Sequence, residues 1–487
     1  MMRPSRSDPL RAEDRQMRST RTPSPWAGRF VLALFCIAAF EPSSWFLLGR
    51  SRAPDSLFSE SPVLLTAAPR YDPGAWMRGG ERFPRGAKLV VFKGGTPHDL
   101  VSDFSATADA AVSFDGQRVL FAGKRRASDN WRIWEVATSG GEPRSVLACS
   151  TDCVRPFYLP QERFAYARKL GGRFQLEAAP LNGTGSSVRL SYGPGNFLAT
   201  DVLHDGRLLF EAAFPLGGSA STELYTVYSD GSGVESYRCN HGASRHSGKQ
   251  VSSGDIVFAA GRGLARFRSS RAQAVDLDMP PGEYDGDLVE LSPGSWLLPW
   301  RPKATALFNL QRWDTYNNKL RDFFSDPHAN LVEPVLLAPH PTPNRHPSAL
   351  HKWSYANLLC LSAHITKENF APGSITAMKL YEIDAAGKPQ ILGASSVLPD
   401  GSFFVQVPAD RPLQIELLDA AGHTIHRQKG WFWMRAGEQR ICVGCHAGPE
   451  HAPENAVPEV LRGSAEPVNL TGASPPGHSA GAALEAK

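Results

Sequence analysis

The chain has 487 residues, which is too long for one compact domain of typical size, so two or three folded units are expected. A hydrophobic content of 42% and a charged content of 21% are ordinary for a soluble globular protein. The net charge of +4 comes largely from an arginine-rich N-terminus and gives no ground for expecting a nucleic-acid partner. The 44 glycines and 39 prolines are spread along the chain, which is typical of a turn-rich, mainly β protein.

The first fifty residues have the pattern of an export signal. Seven arginines precede the apolar run Phe30–Phe40, which has the length of a signal-peptide core and is short for a bilayer span. No clear small-residue cleavage site follows, so both a cleaved signal peptide and an uncleaved membrane anchor stay open. We expect residues 1–50 to direct the protein to the periplasm or another exported location, with membrane attachment only if this segment is retained. A linker is expected over residues 51–84.

Residues 85–340 repeat one pattern, in which an apolar stretch is followed by a turn such as Asp-Gly and a second β-rich stretch. Its closing aromatic residue or leucine recurs at intervals of 43, 46, 48 and 40 residues, a period typical of four-stranded propeller blades. The five copies are 112–121, 155–164, 201–210, 250–258 and 289–298. Because residues 88–92 and 331–337 could supply one more blade, we predict a six-bladed β-propeller closed near residue 340. A β-sandwich of similar strand number is the alternative.

Two groups of cysteines in this region carry possible chemistry. Cys149 and Cys153 are separated by a short loop, and either a disulfide in an oxidising compartment or two buried thiols fits that spacing. Cys239 and His241 form a Cys-x-His pair, with His246 nearby, that could bind zinc. The alternative is a blade-edge loop with an ordinary thiol, since a closed zinc site needs four ligands.

A second β unit follows the propeller. Residues 339–347 (PHPTPNRHP) form a proline-rich connector and the natural domain boundary. Alternating strands and turn residues between 346 and 430 predict a small, antiparallel, β-sandwich-like domain. The composition of residues 466–487 predicts a disordered tail.

Between the predicted sandwich and the predicted tail lies Cys442-Val443-Gly444-Cys445-His446, the attachment motif of a c-type haem. Each cysteine sulfur can add to one vinyl group of the porphyrin, and the adjacent histidine can offer an imidazole nitrogen to the iron. A CxxC zinc knuckle would need a second ligand pair nearby, and a thioredoxin-like pair would need a βαβ unit; the sequence shows neither. We therefore predict that residues 431–465 bind one covalent haem c through Cys442 and Cys445, with His446 as the proximal iron ligand.

Several neighbours of the motif could complete the site. Trp431 and Trp433 alternate along the chain and could wall the porphyrin or belong to the sandwich core. Arg435, Glu438 and Arg440 could contact the haem propionates or form salt bridges beside them, and the alternative is that they are solvated surface charges. The sixth iron position is either open, which favours small-molecule chemistry, or filled, which favours electron transfer. The candidates to fill it are His346, His351, His364, His423, His426, His451 and Met434.

The order of motifs in residues 397–458 resembles the proteins related to the hydrazine synthase alpha subunit. The resemblance rests on Leu398-Pro-Asp-Gly-Ser-Phe, Trp431-Phe-Trp, the haem motif and Ala452-Pro-Glu-Asn, and it extends more weakly over roughly residues 85–465. The Asp-Gly repeat likewise resembles the TolB-type (PD40) propeller repeat. The family implies a propeller, a middle domain with a c-type haem, and zinc near Cys239 and His241 with a ligand from the haem domain.

The resemblance also marks a departure from the hydrazine-forming members. In those proteins a tyrosine just downstream of the motif takes the iron and the motif histidine binds zinc. Here residues 447–451 contain no tyrosine, and no second CxxCH occurs in this sequence. This departure from the family pattern argues that His446 keeps the proximal role, and it also argues against hydrazine synthesis.

The combined prediction is an exported mono-haem c-type cytochrome with a propeller, acting in electron transfer with a redox partner protein or in other haem-based redox chemistry. One alternative is a propeller scaffold that docks a partner and carries a structural haem. The other is a CxxC zinc-binding protein. The sequence does not determine the oligomeric state.

Overall fold

The computed structural model describes residues 61–214, 221–238, 243–270, 272–366, 370–371, 373–384, 388–444, 457–463 and 466–472. These residues belong to one compact unit, Pro54–Lys487. In them the regular structure is almost entirely β, and the two short helices, Trp76–Arg78 and Glu459–Leu461, are single 3-10 turns. No helix among the described residues is long and apolar enough to span a bilayer. The predicted export segment lies outside the described residues.

Six antiparallel sheets form the blades of a β-propeller in the described residues between 63 and 336. Blade 1 contains Val63–Ala68, Lys88–Lys93, Thr96–Asp99 and Asn330–Leu336. Blade 2 contains Ala106–Val112, Arg118–Lys124, Arg132–Ala137 and Arg144–Leu147. Blade 3 contains Cys153–Leu159, Arg163–Leu170, Arg173–Pro180 and Val188–Arg189. Blade 4 contains Asn196–Val202, Leu208–Ala213, Thr222–Val227 and Glu235–Ser236. Blade 5 contains His246–Gln250, Ile256–Ala260, Gly263–Phe267 and Val275–Asp276. Blade 6 contains Glu283–Tyr284, Val289–Ser292, Ser295–Arg301, Asn309–Asp314 and Lys319–Phe324.

The repeated sequence pattern corresponds to the first hairpin of a blade. In blade 2, for example, the turn 113–117 joins the first two strands, and the Asp115 carboxylate accepts a hydrogen bond from the Gln117 amide at 3.0 Å. Gly116 in the same turn has φ +72°, a conformation that L side chains rarely adopt. The polar turn and its flanking apolar strands are local features, and the periodic pattern therefore predicted these hairpins correctly.

The ring closes because blade 1 takes strands from both ends of the propeller. Asn330–Leu336 pairs antiparallel with Val63–Ala68, which confirms six blades and a closing strand near residue 340. Val63–Ala68 lies in the segment 51–84 that the sequence predicts to be a linker, and Trp76 and Phe83 of that segment are also buried. The propeller therefore begins earlier than residue 85. The sequence missed this strand because its pairing partner is hundreds of positions away and leaves no local pattern.

The second unit consists of two four-stranded sheets. The first contains, in spatial order, Gln439–Cys442, Tyr355–Cys360, Phe403–Pro408 and Val468–Asn469. The second contains Pro389–Ser396, Ala377–Ile383, Leu413–Leu418 and Thr424–Arg427. The predicted sandwich is thus present, but it is not limited to residues 346–430. Its first sheet includes one strand from the predicted haem segment and one from the predicted tail, and both pair in parallel with their neighbours.

The proline-rich connector contacts the propeller, and one disulfide closes a short loop within the propeller. In the proline-rich connector the His340 amide donates to the Phe114 carbonyl at 3.0 Å and the Asn344 amide donates to the His204 carbonyl at 2.8 Å, so the connector lies against propeller turns. Cys149 and Cys153 form a disulfide, which is the first of the two alternatives left open by their spacing.

Candidate functional site

The CxxCH motif begins at the end of an edge strand of the sandwich. Gln439–Cys442 pairs in parallel with Tyr355–Cys360, and this register places Cys442 opposite Cys360. The Leu361 amide donates a 2.8 Å hydrogen bond to the Cys442 carbonyl, so pairing continues to the first cysteine of the motif. Cys442 is half-buried against the core, whereas Cys360 is buried. Cys445 and His446 lie outside the described residues.

The glycine inside the motif packs directly on a neighbouring turn. A Cβ built on Gly444 would lie 2.3 Å from the Ile365 carbonyl oxygen and 3.0 Å from the Ser362 carbonyl oxygen. Both atoms belong to the backbone and cannot swing aside. The motif therefore runs against residues 362–365 at a distance that only glycine allows at this position.

The turn 362–365 carries one of the histidines predicted as iron ligands. The turn is fixed by two hydrogen bonds, from the Ala363 amide to the Gly401 carbonyl and from Ser362 Oγ to the Asp400 carbonyl, both 2.7 Å long. Nδ1 and Nε2 of His364 are both buried, and neither has a hydrogen-bond partner among the described residues. Leaving such a group unsatisfied costs about 1–3 kcal/mol.

The other residues predicted as possible iron ligands have different surroundings. His346 stacks on Tyr228 with ring centroids 3.6 Å apart, and His351 stacks on Trp353 at 4.4 Å. The His423 side chain is 80% exposed and contacts Asp419. His426 lies 6.4 Å from the Phe370 ring, Met434 is fully buried, and His451 lies outside the described residues.

The two tryptophans before the motif contribute to packing. Trp433 is fully buried against blade 4, with its ring 5.5 Å from that of Phe197 and 6.3 Å from that of Phe210. Trp431 is 2% exposed and belongs to the same core. Domain packing therefore accounts for the burial of Trp433, and a role for either tryptophan as the wall of a porphyrin pocket stays a prediction.

Three charged residues next to the motif fasten the sandwich to the propeller. Arg435 pairs with Asp410 at 2.7 Å and donates to the backbone carbonyl of Asp230 at 2.6 Å. Arg440 pairs with Glu438 at 2.6 Å and donates to the backbone carbonyl of Val234 at 3.1 Å. Arg435, Glu438 and Arg440 thus form salt bridges, and contact with haem propionates stays a prediction.

The predicted zinc ligands Cys239 and His241 lie outside the described residues. The nearby His246 is described, and its Nδ1 lies 3.8 Å from a carboxylate oxygen of Glu211. Although burial lowers the pKa of His246, the Glu211 carboxylate outweighs it and raises the pKa above its usual value. Within the described part of the chain, no group of three or more His, Cys, Asp or Glu side chains could hold a metal ion.

A buried charged cluster, which the sequence analysis missed, lies where the innermost strands of the blades meet at the centre of the propeller. We call Arg82, Asp109, Arg155, Asp287 and Glu333 the axial cluster. Its two arginines and three carboxylates contact one another at 2.8–3.9 Å, and each side chain is at most 6% exposed. A cavity of about 20 Å³, enough for one water molecule, lies beside it.

The carboxylates of the axial cluster are perturbed in opposite directions. Burial raises the pKa of Asp109 well above its usual range, and the neighbouring Glu333 carboxylate adds to this rise. Burial also acts on Asp287, but Arg155 and Arg82 outweigh it and hold the pKa of that carboxyl well below its usual range. A periodic sequence signal could have revealed the axial cluster. Asp109 and Arg155 lie 46 residues apart, each at the bulge in the first strand of its blade.

Comparison with known proteins adds two findings. Residues 364–447 match the family described as the hydrazine synthase alpha subunit middle domain, a range that includes the whole CxxCH motif. Hydrazine synthase from Kuenenia stuttgartiensis has a similar fold, with a TM-score of 0.71 at 15% identity over 84% of this chain and 73% of that one.

Smaller propellers match part of the chain. TolB from Acinetobacter baumannii matches at 14% identity over 57% of this chain and 67% of its own, with a TM-score of 0.42. A putative TolB from Agrobacterium tumefaciens matches at 15% identity over 54% of this chain and 88% of its own, with a TM-score of 0.32. No curated protein matches the sequence. Residues 364–447 of the sandwich thus match the hydrazine synthase alpha subunit middle domain, and the fold of the chain is similar to that of hydrazine synthase.

Proposed function

We propose that this protein is an exported mono-haem c-type cytochrome in which Cys442 and Cys445 hold the haem and His446 is the proximal ligand. The CxxCH motif, delivered by an edge strand of the sandwich, carries the proposal. Cys442 is half-buried at the end of that strand. The Cys149–Cys153 disulfide supports export, because such bonds form and persist in oxidising compartments.

Electron transfer with a redox partner protein is the activity we propose. A bound haem supplies one-electron redox chemistry at its iron. The chain contributes a rigid attachment point, since the motif strand continues the sheet and its flanking Arg435 and Arg440 bind propeller backbone. The missing downstream tyrosine favours this activity over hydrazine synthesis.

The propeller in this proposal is a docking platform for the partner. The axial cluster lies at the centre of the propeller, and the cavity beside it, about 20 Å³, holds one water molecule and is too small for an organic substrate. This observation also favours the second candidate function, in which the propeller is a partner-binding scaffold and the haem is structural. The two functions differ in whether the haem exchanges electrons with the bound partner.

The proposal is tested by producing the full chain in a host with c-type cytochrome maturation and measuring pyridine haemochrome, intact mass and cell fractionation. We expect one covalent haem on an exported protein. Cys442→Ser should change the haemochrome spectrum to that of a single thioether or abolish attachment, whereas Cys360→Ser, the cysteine opposite it in the neighbouring strand, should keep both thioethers. Finding bound zinc and no haem would replace the proposal with the zinc-protein alternative.

A further inference from the structure

We infer that a cavity at one end of blade 1 is a binding site for a small organic anion with an apolar body, such as an aryl or alkyl carboxylate. The cavity has a volume of about 440 Å³, which lies within the range of about 300–1,000 Å³ that is typical of small-molecule sites. It lies where residues 324–329 arrive from blade 6 and residues 104–105 lead into blade 2. The inference concerns the propeller and does not depend on the haem proposal.

The apolar part of the cavity lining is held in place by its neighbours. Val90 is 8% exposed, and Phe104 and Phe324 are partly buried. The Phe324 ring lies 4.8 Å from the Phe92 ring, and the Phe104 ring lies 5.1 Å from the Trp134 ring. Because these contacts already order the two phenylalanines, the apolar body of a ligand can lose its water-exposed surface here at a small cost in side-chain entropy.

Three polar side chains of the lining offer hydrogen-bond donors that the protein does not use. The Arg85 guanidinium and the rings of His98 and His328 form no hydrogen bond or ion pair with another described residue. All three residues are exposed, so a ligand in the cavity can reach them. A guanidinium presents a fork of N–H donors that matches a carboxylate, and each imidazole presents at least one donor. The backbone beside Arg85 is fixed, since the Gly86 amide donates to the Phe83 carbonyl at 3.2 Å.

The two carboxylates of the lining are already engaged. Asp99 pairs with Lys88 at 2.8 Å, and Asp326 accepts a 2.7 Å hydrogen bond from the His328 amide. What remains for a ligand is the charge of Arg85 together with the two imidazole donors. This set favours an anionic group over a cationic one, and the apolar lining favours a carbon body attached to it.

The test measures the binding of three probes of one shape to the purified full chain by isothermal titration calorimetry. The probes are 3-phenylpropionate, its uncharged amide and the cation 3-phenylpropylamine. We expect the carboxylate to bind with a Kd below about 1 mM, at least about fivefold more tightly than the amide or the amine, because hydrogen bonds between charged groups are the stronger ones. Added salt should weaken the carboxylate more than the amide, since Arg85 is exposed to solvent. No binding of the carboxylate, or equal affinity for the three probes, would overturn the inference.

Two variants and one control locate the binding. Arg85→Gln should lower the affinity for the carboxylate to that for the amide and leave the amide unchanged, a pattern that a folding defect would not produce. Arg268→Gln removes an exposed arginine that follows the third strand of blade 5 and does not line the cavity, so it should bind all probes like the wild type. Ser105→Trp, at an exposed position of the lining, should fill the cavity and abolish binding of carboxylate and amide alike. If Arg85→Gln binds the carboxylate as the wild type does, or if Ser105→Trp still binds it, the assignment of this site is wrong, and the haem proposal is unaffected.

Discussion

Replacing Arg155 with methionine measures how much the axial cluster stabilises the propeller. The Arg155 guanidinium lies 3.3 Å from Asp287 and 3.4 Å from Glu333, and its Nε donates to the Ala199 carbonyl at 3.1 Å. Its side chain is 6% exposed, so solvent does not screen these contacts. Methionine fills a similar space without the charge. Arg82 is then the one arginine left in the axial cluster to pair with its three carboxylates.

Removing one partner of a buried ion pair costs about 3–5 kcal/mol, because the other charge stays buried without compensation. A folded domain is stable by only about 5–15 kcal/mol, so this loss should be easy to measure. The effect should also depend on pH. Since the folded-state pKa of Asp287 is lowered, its contribution is present above the unfolded aspartate pKa of about 4 and is lost as the pH falls. In Arg155→Met this acid-induced loss should be smaller.

Urea unfolding of the full chain, followed by tryptophan fluorescence, is the assay. Arg78→Met is the matched control, because Arg78 also binds an aspartate, Asp72, but with side-chain exposures of 63% and 49%. Such an exposed pair contributes about 0–1 kcal/mol, so the control should stay close to the wild type. If Arg155→Met also unfolds within about 1 kcal/mol of the wild type at neutral pH, the axial cluster does not stabilise the fold as argued.

Three further predictions follow from the described contacts. Trp433→Ala should destabilise the contact between sandwich and propeller by about 3–5 kcal/mol, seen as faster limited proteolysis between them; unchanged proteolysis would contradict its role there. Gly444→Ala should lower haem incorporation, because its Cβ would meet the Ile365 carbonyl, whereas Gly463→Ala, which has open space, should not; equal incorporation would contradict the packing argument. Because the folded-state pKa of Asp109 is raised, the stability that Asp109 contributes should be lost as the pH rises above about 4, and Asp109→Asn should lack this pH-dependent contribution. Urea midpoints of the wild type and Asp109→Asn are compared across pH; the same pH dependence in both proteins would contradict this reasoning.

Local patterns were sufficient for much of this protein. Turns such as Asp-Gly with flanking apolar stretches predicted the first hairpins of five blades, and the alternating pattern between residues 346 and 430 predicted the sandwich. Turn geometry and strand alternation depend on residues that are close in sequence, which is why such patterns can be recognised. The CxxCH motif has the same local character, since it is defined by three residues within five positions.

The sequence by itself determined the fold class and the motif: a mainly β chain of repeated hairpins with one CxxCH motif. The tertiary structure decided which distant residues surround that motif and the propeller axis. Val63–Ala68 joins the first blade, His364 lies beside Gly444, Trp433 packs on blade 4, and Arg155 meets Asp287. These contacts depend on ring closure and parallel strand pairing between remote segments, and no short-range pattern in a single sequence records them.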